Sequence, residues 1–187
     1  MKNIAIFASG NGTNAERIIS YFKDSRLAQV DVVLTNKSDA GVITRAHSLF
    51  VDIHVFTRDD FYNSNKILDI LAQYKVDLIV LAGFLWLVPE NILDKYENSI
   101  VNIHPALLPA YGGKGMYGVR VHEAVIAAGD DKSGITIHKV NKLYDDGQII
   151  FQADVEIESN ETPDSLAGKI HMLEYEHFPK VIEELLT

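Results

Sequence analysis

The chain has 187 residues, 47% of them hydrophobic, which is the size and apolar content of one ordinary domain with a sizeable core. A net charge of −9, with 17 Lys and Arg scattered along the chain, excludes the basic stripe that nucleic acid or an anionic membrane would need, so small molecules are the expected partners. The absence of cysteine excludes disulfides, thiolate catalysis and cysteine metal sites, and suits the cytoplasm. In chain order, Ile4 to Ala8 is an apolar run that Ser9-Gly10-Asn11-Gly12 interrupts too early for a signal core or a membrane span. It reads instead as the first of five strands, followed by Val30 to Thr35, Ile53 to Phe56, Val76 to Gly83 and Ile100 to His104, each apolar enough to be buried on both faces. Between them Ala15 to Phe22, Val42 to Phe50 and Phe61 to Tyr74 carry apolar residues at helical spacing, and Pro89 can open a further helix. This alternation predicts an α/β fold: a Rossmann-like, doubly wound, mostly parallel sheet with right-handed crossovers. Further on, Ile135 to Val140 and Ile149 to Ile157 predict an antiparallel C-terminal hairpin, and Pro163 to Leu186 a closing helix. No linker or repeat interrupts residues 1–187, which are read as a single domain. Gly112 to Gly118 holds four glycines, a composition that works against a rigid conformation.

Four stretches carry chemistry. In Ser9-Gly10-Asn11-Gly12-Thr13-Asn14-Ala15, directly after the first strand, glycines let the backbone approach a ligand, and the amides at the start of the next helix suit a phosphate. The match to a dinucleotide fingerprint is incomplete, because the second strand ends in Thr35-Asn36-Lys37 without a carboxylate for a ribose. A mononucleotide or sugar phosphate fits better than NAD, and a tight turn capped by Thr13 is the structural alternative. Phe84-Leu85-Trp86-Leu87 follows Gly83 at a strand's C-terminal edge, and reads equally as an apolar plug or as a seat for a flat heteroaromatic ligand. Asn102 and His104 lie two residues apart at the end of a strand, so both point to one side and can aim at one developing oxyanion. Asp145-Asp146-Gly147 alone is a turn. Beside the segment Gly134 to His138, at a strand's end, it offers a carboxylate that can keep an imidazole charged and receive a proton. That set describes acyl or formyl transfer. The remaining histidines, His47, His54, His122, His171 and His177, read as surface or core residues, and His122-Glu123 continues to Ile126 rather than to a second histidine, so no zinc helix follows.

Ser9-Gly10-Asn11-Gly12-Thr13-Asn14, Leu81-Ala82-Gly83-Phe84, Asn102-Ile103-His104-Pro105-Ala106-Leu107-Leu108-Pro109, Gly134-Ile135-Thr136 and Leu143-Tyr144-Asp145-Asp146-Gly147, in this order and almost end to end, resemble the phosphoribosylglycinamide formyltransferase family. The middle elements are shared with methionyl-tRNA formyltransferases and formyltetrahydrofolate deformylases, the alternative readings, and the N-terminal glycine loop separates the first family from them. The resemblance implies transfer of a formyl group from 10-formyltetrahydrofolate to the amine of glycinamide ribonucleotide, with the folate as co-substrate and no metal. It implies a catalytic set of Asn102, His104 and Asp145. Gly12, Thr13 and Asn14 would hold the ribonucleotide phosphate with Glu174 near its glycinamide end. Arg58, the segment Leu85, Trp86, Leu87, Val88 and the loop from Asn141 to Asp145, with Asn102, would line the folate pocket. On this reading the N-terminal half binds the phosphate and the C-terminal half completes the folate and catalytic site, in a monomer or homodimer. Trp86 stands where some relatives carry Arg, Lys139 where an aromatic is usual, and the Gly112 to Gly118 loop is longer than in the shorter members.

Overall fold

The computed structural model describes all residues from Met1 to Thr187. One seven-stranded sheet runs through it in the order β3-β2-β1-β4-β5-β6-β7. Its strands are β1 (Lys2–Phe7), β2 (Ala28–Thr35), β3 (Asp52–Val55), β4 (Leu78–Leu81), β5 (Ile100–His104), β6 (Lys132–Lys139) and β7 (Ile149–Glu156). The first five pair in parallel, and β5-β6 and β6-β7 are antiparallel. The helices are α1 (Thr13–Phe22), α2 (Gly41–Ser48), α3 (Arg58–Tyr62), α4 (Lys66–Gln73), α5 (Glu90–Lys95), α6 (Val119–Ala128) and α7 (Pro163–Leu186). None is long and apolar enough to cross a membrane.

Apolar side chains on successive residues of a strand leave by opposite faces, and here both faces are covered. Ile4 and Ile6 join a core with Val80, Val101 and Ile103, under α1, α2, α6 and α7. Ala5 and Phe7 join a second core with Ile79, Leu81 and Ile100, under α3, α4 and α5. Helix α1 shows how a helix is held: Ala15, Ile18, Ile19 and Phe22 recur at helical spacing and are buried, and each large side chain among them contributes about 1.5–3 kcal/mol. Helix α7 begins at a capping box in which Thr162 and Ser165 satisfy each other's backbone N–H groups. It contains Pro179, which cannot donate to the Tyr175 carbonyl one turn back. The Arg17 guanidinium of α1 donates to that carbonyl instead (3.3 Å) and so ties the two helices where the turn is broken.

Most predicted elements lie within two or three residues of those found, and the sheet is the mostly parallel one with an antiparallel C-terminal hairpin that the sequence predicts. Three expectations need correction. The helix expected from Phe61 to Tyr74 is two helices: a Thr57–Asp60 capping box starts α3 earlier, and Ser64 bonds the Asp60 carbonyl and the Lys66 amide, competing with the helical ladder at Asn63 to Asn65. Strand β3 is not buried on both faces, because it lies at the sheet edge with both ends exposed. Helix α6 follows the glycine run without a side-chain cap and was not anticipated, although Gly129, left-handed at φ 72°, closes it as a C-cap glycine should.

The β5-β6-β7 register places His104, Thr136 and Gln152 side by side across three strands. The buried Thr136 hydroxyl donates to the Ala106 carbonyl (2.7 Å) and accepts from the Leu108 amide (2.9 Å) and from Gln152 (2.9 Å). One side chain thereby fixes the path of the backbone that leaves β5. Thr136→Val keeps the shape and removes the hydroxyl, leaving buried backbone groups unpaired at about 1–3 kcal/mol each. Thermal unfolding is expected to show a Tm lowered by roughly 5–10 °C, and a Tm within 1–2 °C of wild type would show that the loop is held by other means.

Candidate functional site

In open α/β sheets ligands bind beyond the carboxyl ends of the strands, where the strand order reverses. Here that point is between β1 and β4, and Ser9 joins the loops there. Its amide donates to the Gly83 carbonyl (3.0 Å), its hydroxyl donates to Asn36 (2.7 Å), and the same hydroxyl accepts from the Leu85 amide (3.1 Å). A cavity of about 820 Å³ opens above these ends and reaches from the glycine loop, with Lys37 beside it, to the far edge of β5. Gly12 is the N-cap of α1 at φ 79°, and an added Cβ would lie 2.5 Å from Val42, so only glycine fits. Thr13 is therefore the first helical residue and not a cap, and the first turn, whose amides have no helical partner, lines the cavity, which suits an anion. Arg45, itself paired with Glu16, braces the loop from behind by donating to the Asn11 carbonyl (2.9 Å).

Asp145 is the centre of the other end. Its backbone is left-handed (φ 53°), and its carboxylate accepts from the Gly113 amide (2.9 Å). His104 Nδ1 lies 3.6 Å from one carboxylate oxygen, and His138 Nε2 lies 3.7 Å from the other. A carbonyl can only accept, so His104 donates from Nε2 to Tyr111 O (2.7 Å) and His138 donates from Nδ1 to Lys139 O (2.8 Å). His138 Nε2 is then the acceptor for the Asn102 amide (3.0 Å), whose other N–H points at Asp145 at the longer distance of 3.4 Å. Burial alone would raise the Asp145 carboxyl, but the Gly113 amide and the positive charge that the neighbouring imidazoles carry when protonated outweigh it and hold the group below the usual carboxylate range. For His104 the balance runs the other way. Burial lowers it more than Asp145 and the Tyr111 carbonyl raise it, so the ring is neutral near pH 7. Asp145, 3.6 Å away, favours the charged ring as expected, and burial opposes it more strongly.

Of the residues expected at the site, Gly12, Thr13, Asn14, Leu85, Asn102, Asp145 and Glu174 line the cavity. His104 does not, being 3% exposed with both ring nitrogens facing protein groups. Trp86 packs with Phe56, Phe61 and Tyr62, Val88 is buried in the same core, and the Leu87 carbonyl accepts from Tyr62. Arg58 lies over the Tyr62 and Trp86 rings at 5.0 and 5.5 Å. Asn141 folds onto its own loop, bonding the Leu143 amide (2.8 Å). His138 is not among the residues expected at the site, because its importance comes from facing Asn102 across β5 and β6. Glu174 and Asn14 join α7 to the glycine loop through a 2.8 Å bond, and burial raises the Glu174 carboxyl to about 7.

The formyl transferase family model matches residues 2–182. A protein named phosphoribosylglycinamide formyltransferase in Bacillus subtilis is 36% identical over 100% of this chain and 95% of its own length. The chloroplastic protein of that name in Arabidopsis thaliana is 38% identical over 97% of this chain, which spans 64% of that relative's length. The crystal structure of glycinamide ribonucleotide transformylase 1 from Geobacillus kaustophilus superposes with a TM-score of 0.90 at 37% identity and full coverage of both chains.

The Glu174 shift has a consequence for stability. A carboxyl raised in the folded state from 4.5 to about 7 contributes fully below pH 4.5, loses that contribution as pH rises through 7, and is least favourable above it. Glu174→Gln keeps the shape and the Asn14 contact without the charge. It is expected to be more stable than wild type at pH 8.5 by about 3 kcal/mol, with the advantage gone at pH 4.5. Denaturant unfolding at the two pH values checks this, and an advantage that does not change with pH would contradict it.

Proposed function

Because the chain belongs to the formyl transferase family, we propose that it moves the formyl group of 10-formyltetrahydrofolate to the amine of glycinamide ribonucleotide, giving the formylated ribonucleotide and tetrahydrofolate in purine synthesis. The observation that carries this reading is that one continuous cavity opens at one end onto a phosphate-ready helix start and at the other onto Asn102 and Asp145. A phosphorylated amine and a formyl donor can meet there without crossing bulk solvent.

The phosphate sits on the amides of Gly12, Thr13 and Asn14, and Glu174 faces the glycinamide end. The folate enters past Leu85 and the loop that carries Asn141 and Asp145, with its tail toward Arg58. The amine attacks the formyl carbon, forming a tetrahedral carbon with a negative oxygen. The Asn102 N–H that makes only the long contact to Asp145 is the one free to turn to that oxygen. His104 supplies a second donor once the Tyr111 carbonyl is displaced from Nε2. Asp145, ionised and half-buried, takes the proton lost by the amine, through water, and that proton passes on to the folate N10 as its bond to the formyl carbon breaks, which restores the carboxylate. No covalent enzyme intermediate is needed, because an amine attacks a formyl group directly once both are held in place.

Loss of one oxyanion donor lowers rate about 100- to 1000-fold, so Asn102→Ala is expected to fall by that factor with an unchanged Tm. Asp145→Asn should lose kcat with little change in ribonucleotide affinity. The test is formyl transfer followed by absorbance with and without the ribonucleotide. Turnover that depends on the ribonucleotide supports the proposal, equal deformylation in its absence makes the protein a deformylase, and a wild-type rate in either variant removes that residue from the mechanism.

A further inference from the structure

His122 lies on the buried face of α6, one turn before Val125, and is 3% exposed. It lines the cavity, yet neither ring nitrogen has a partner within the protein, and Nδ1 is fully occluded. The other buried histidines, His104 and His138, each have a bond at a ring nitrogen. Buried polar groups in folded proteins are nearly always paired, and of the two ring nitrogens only Nε2, not the occluded Nδ1, is left for a ligand from the cavity.

The position indicates which ligand. Helix α6 packs on α7, and His122 shares the cavity wall with His171, Glu174 and Tyr175. Asn14 of the glycine loop reaches that wall through its bond to Glu174. Burial, with His171 and His104 nearby, pushes the ring down to about 4, so it is an uncharged group with one donor and one acceptor. An unpaired buried N–H is rarer than an under-satisfied acceptor, which puts the proton on Nε2 and leaves the lone pair on the occluded Nδ1. An uncharged donor is suited to a hydroxyl or carbonyl oxygen, whereas the phosphate has the glycine loop.

We infer that His122 is a ribonucleotide-binding residue whose Nε2–H donates to an uncharged oxygen, hydroxyl or carbonyl, between the substrate's phosphate and its amine. The identity of that substrate rests on the formyl-transfer reading above. The site is preformed and unfilled by protein groups, so His122 carries affinity for the ribonucleotide and none for the folate.

Two variants test this. His122→Phe fills the ring's volume without nitrogens, and His122→Gln returns an N–H near the position of Nε2. For the Phe variant we expect the KM for glycinamide ribonucleotide to rise about tenfold, the loss of one neutral hydrogen bond. The KM for 10-formyltetrahydrofolate should stay unchanged, and the Tm of the free protein should be equal to wild type or higher because the orphan nitrogen is gone. The Gln variant should recover most of the affinity. A Phe variant with wild-type ribonucleotide KM overturns the inference, as does one that loses both substrates alike with a lowered Tm, which is the signature of a structural histidine. If wild-type protein itself shows no ribonucleotide-dependent transfer, the functional reading fails separately. Calorimetry with ribose 5-phosphate then decides on His122 alone: weaker binding by the Phe variant supports it and equal binding overturns it.

Discussion

A carboxylate held in a poorly solvated place, between two imidazoles and an amide, is the constraint around which this site is built. Asp145 is 12% exposed and touches groups from β5, from β6 and from the glycine-rich segment before α6. Charge in such surroundings is tolerated only where donors converge on it, and the 2.9 Å bond from Gly113 is the shortest of these. The left-handed backbone at Asp145 is a local cost that the surrounding contacts over-determine. Asp145 therefore joins two segments distant in sequence, and the geometry of one cannot change without that of the other.

The imidazoles differ in what they can do because their backbone partners differ. A carbonyl at Nδ1 makes His138 an acceptor at Nε2, which in turn orients the Asn102 amide. A carbonyl at Nε2 makes His104 a donor away from Asp145. Neither tautomer is chosen by the carboxylate; each is chosen by main chain, Lys139 in one case and Tyr111 in the other. Tyr111 is itself left-handed (φ 56°), and its hydroxyl bonds Asp130 (2.6 Å).

Much of this was legible in the sequence, and what was not had a physical reason. Apolar runs with an amphipathic helix between them give a parallel sheet wherever both faces need cover, and Asn102 and His104 share a face by the period of a strand alone. His138 carried no such signal, since only the antiparallel register of β5 and β6 puts it opposite Asn102. Helix α6 hid behind glycines, and with it the wall that holds His122. A sequence shows that a carboxylate is available to His104, not how much water the imidazole loses on burial. Phe84 to Leu87 left two readings open, and the structure divides them by residue: Leu85 lines the cavity while Trp86 packs with aromatic side chains beneath it.

A net charge of −9 would repel a phosphorylated substrate if charge acted uniformly over the surface. Within a cavity the near field decides, and there the end at the start of α1 has backbone amides and Lys37, with Glu174, bonded to Asn14, raised to about 7 by burial. The end at Asn102 is built the opposite way, with the Asp145 carboxyl held below the usual range. Two carboxyls in one cavity are thus driven apart in acidity by what surrounds them: burial relieved by a single amide from Asn14 on one, and the Gly113 and Asn102 amides with two imidazoles close by on the other. On the proposed function the raised carboxyl opposes a phosphate less than an ordinary glutamate would, and the lowered one keeps its charge where the amine proton is received.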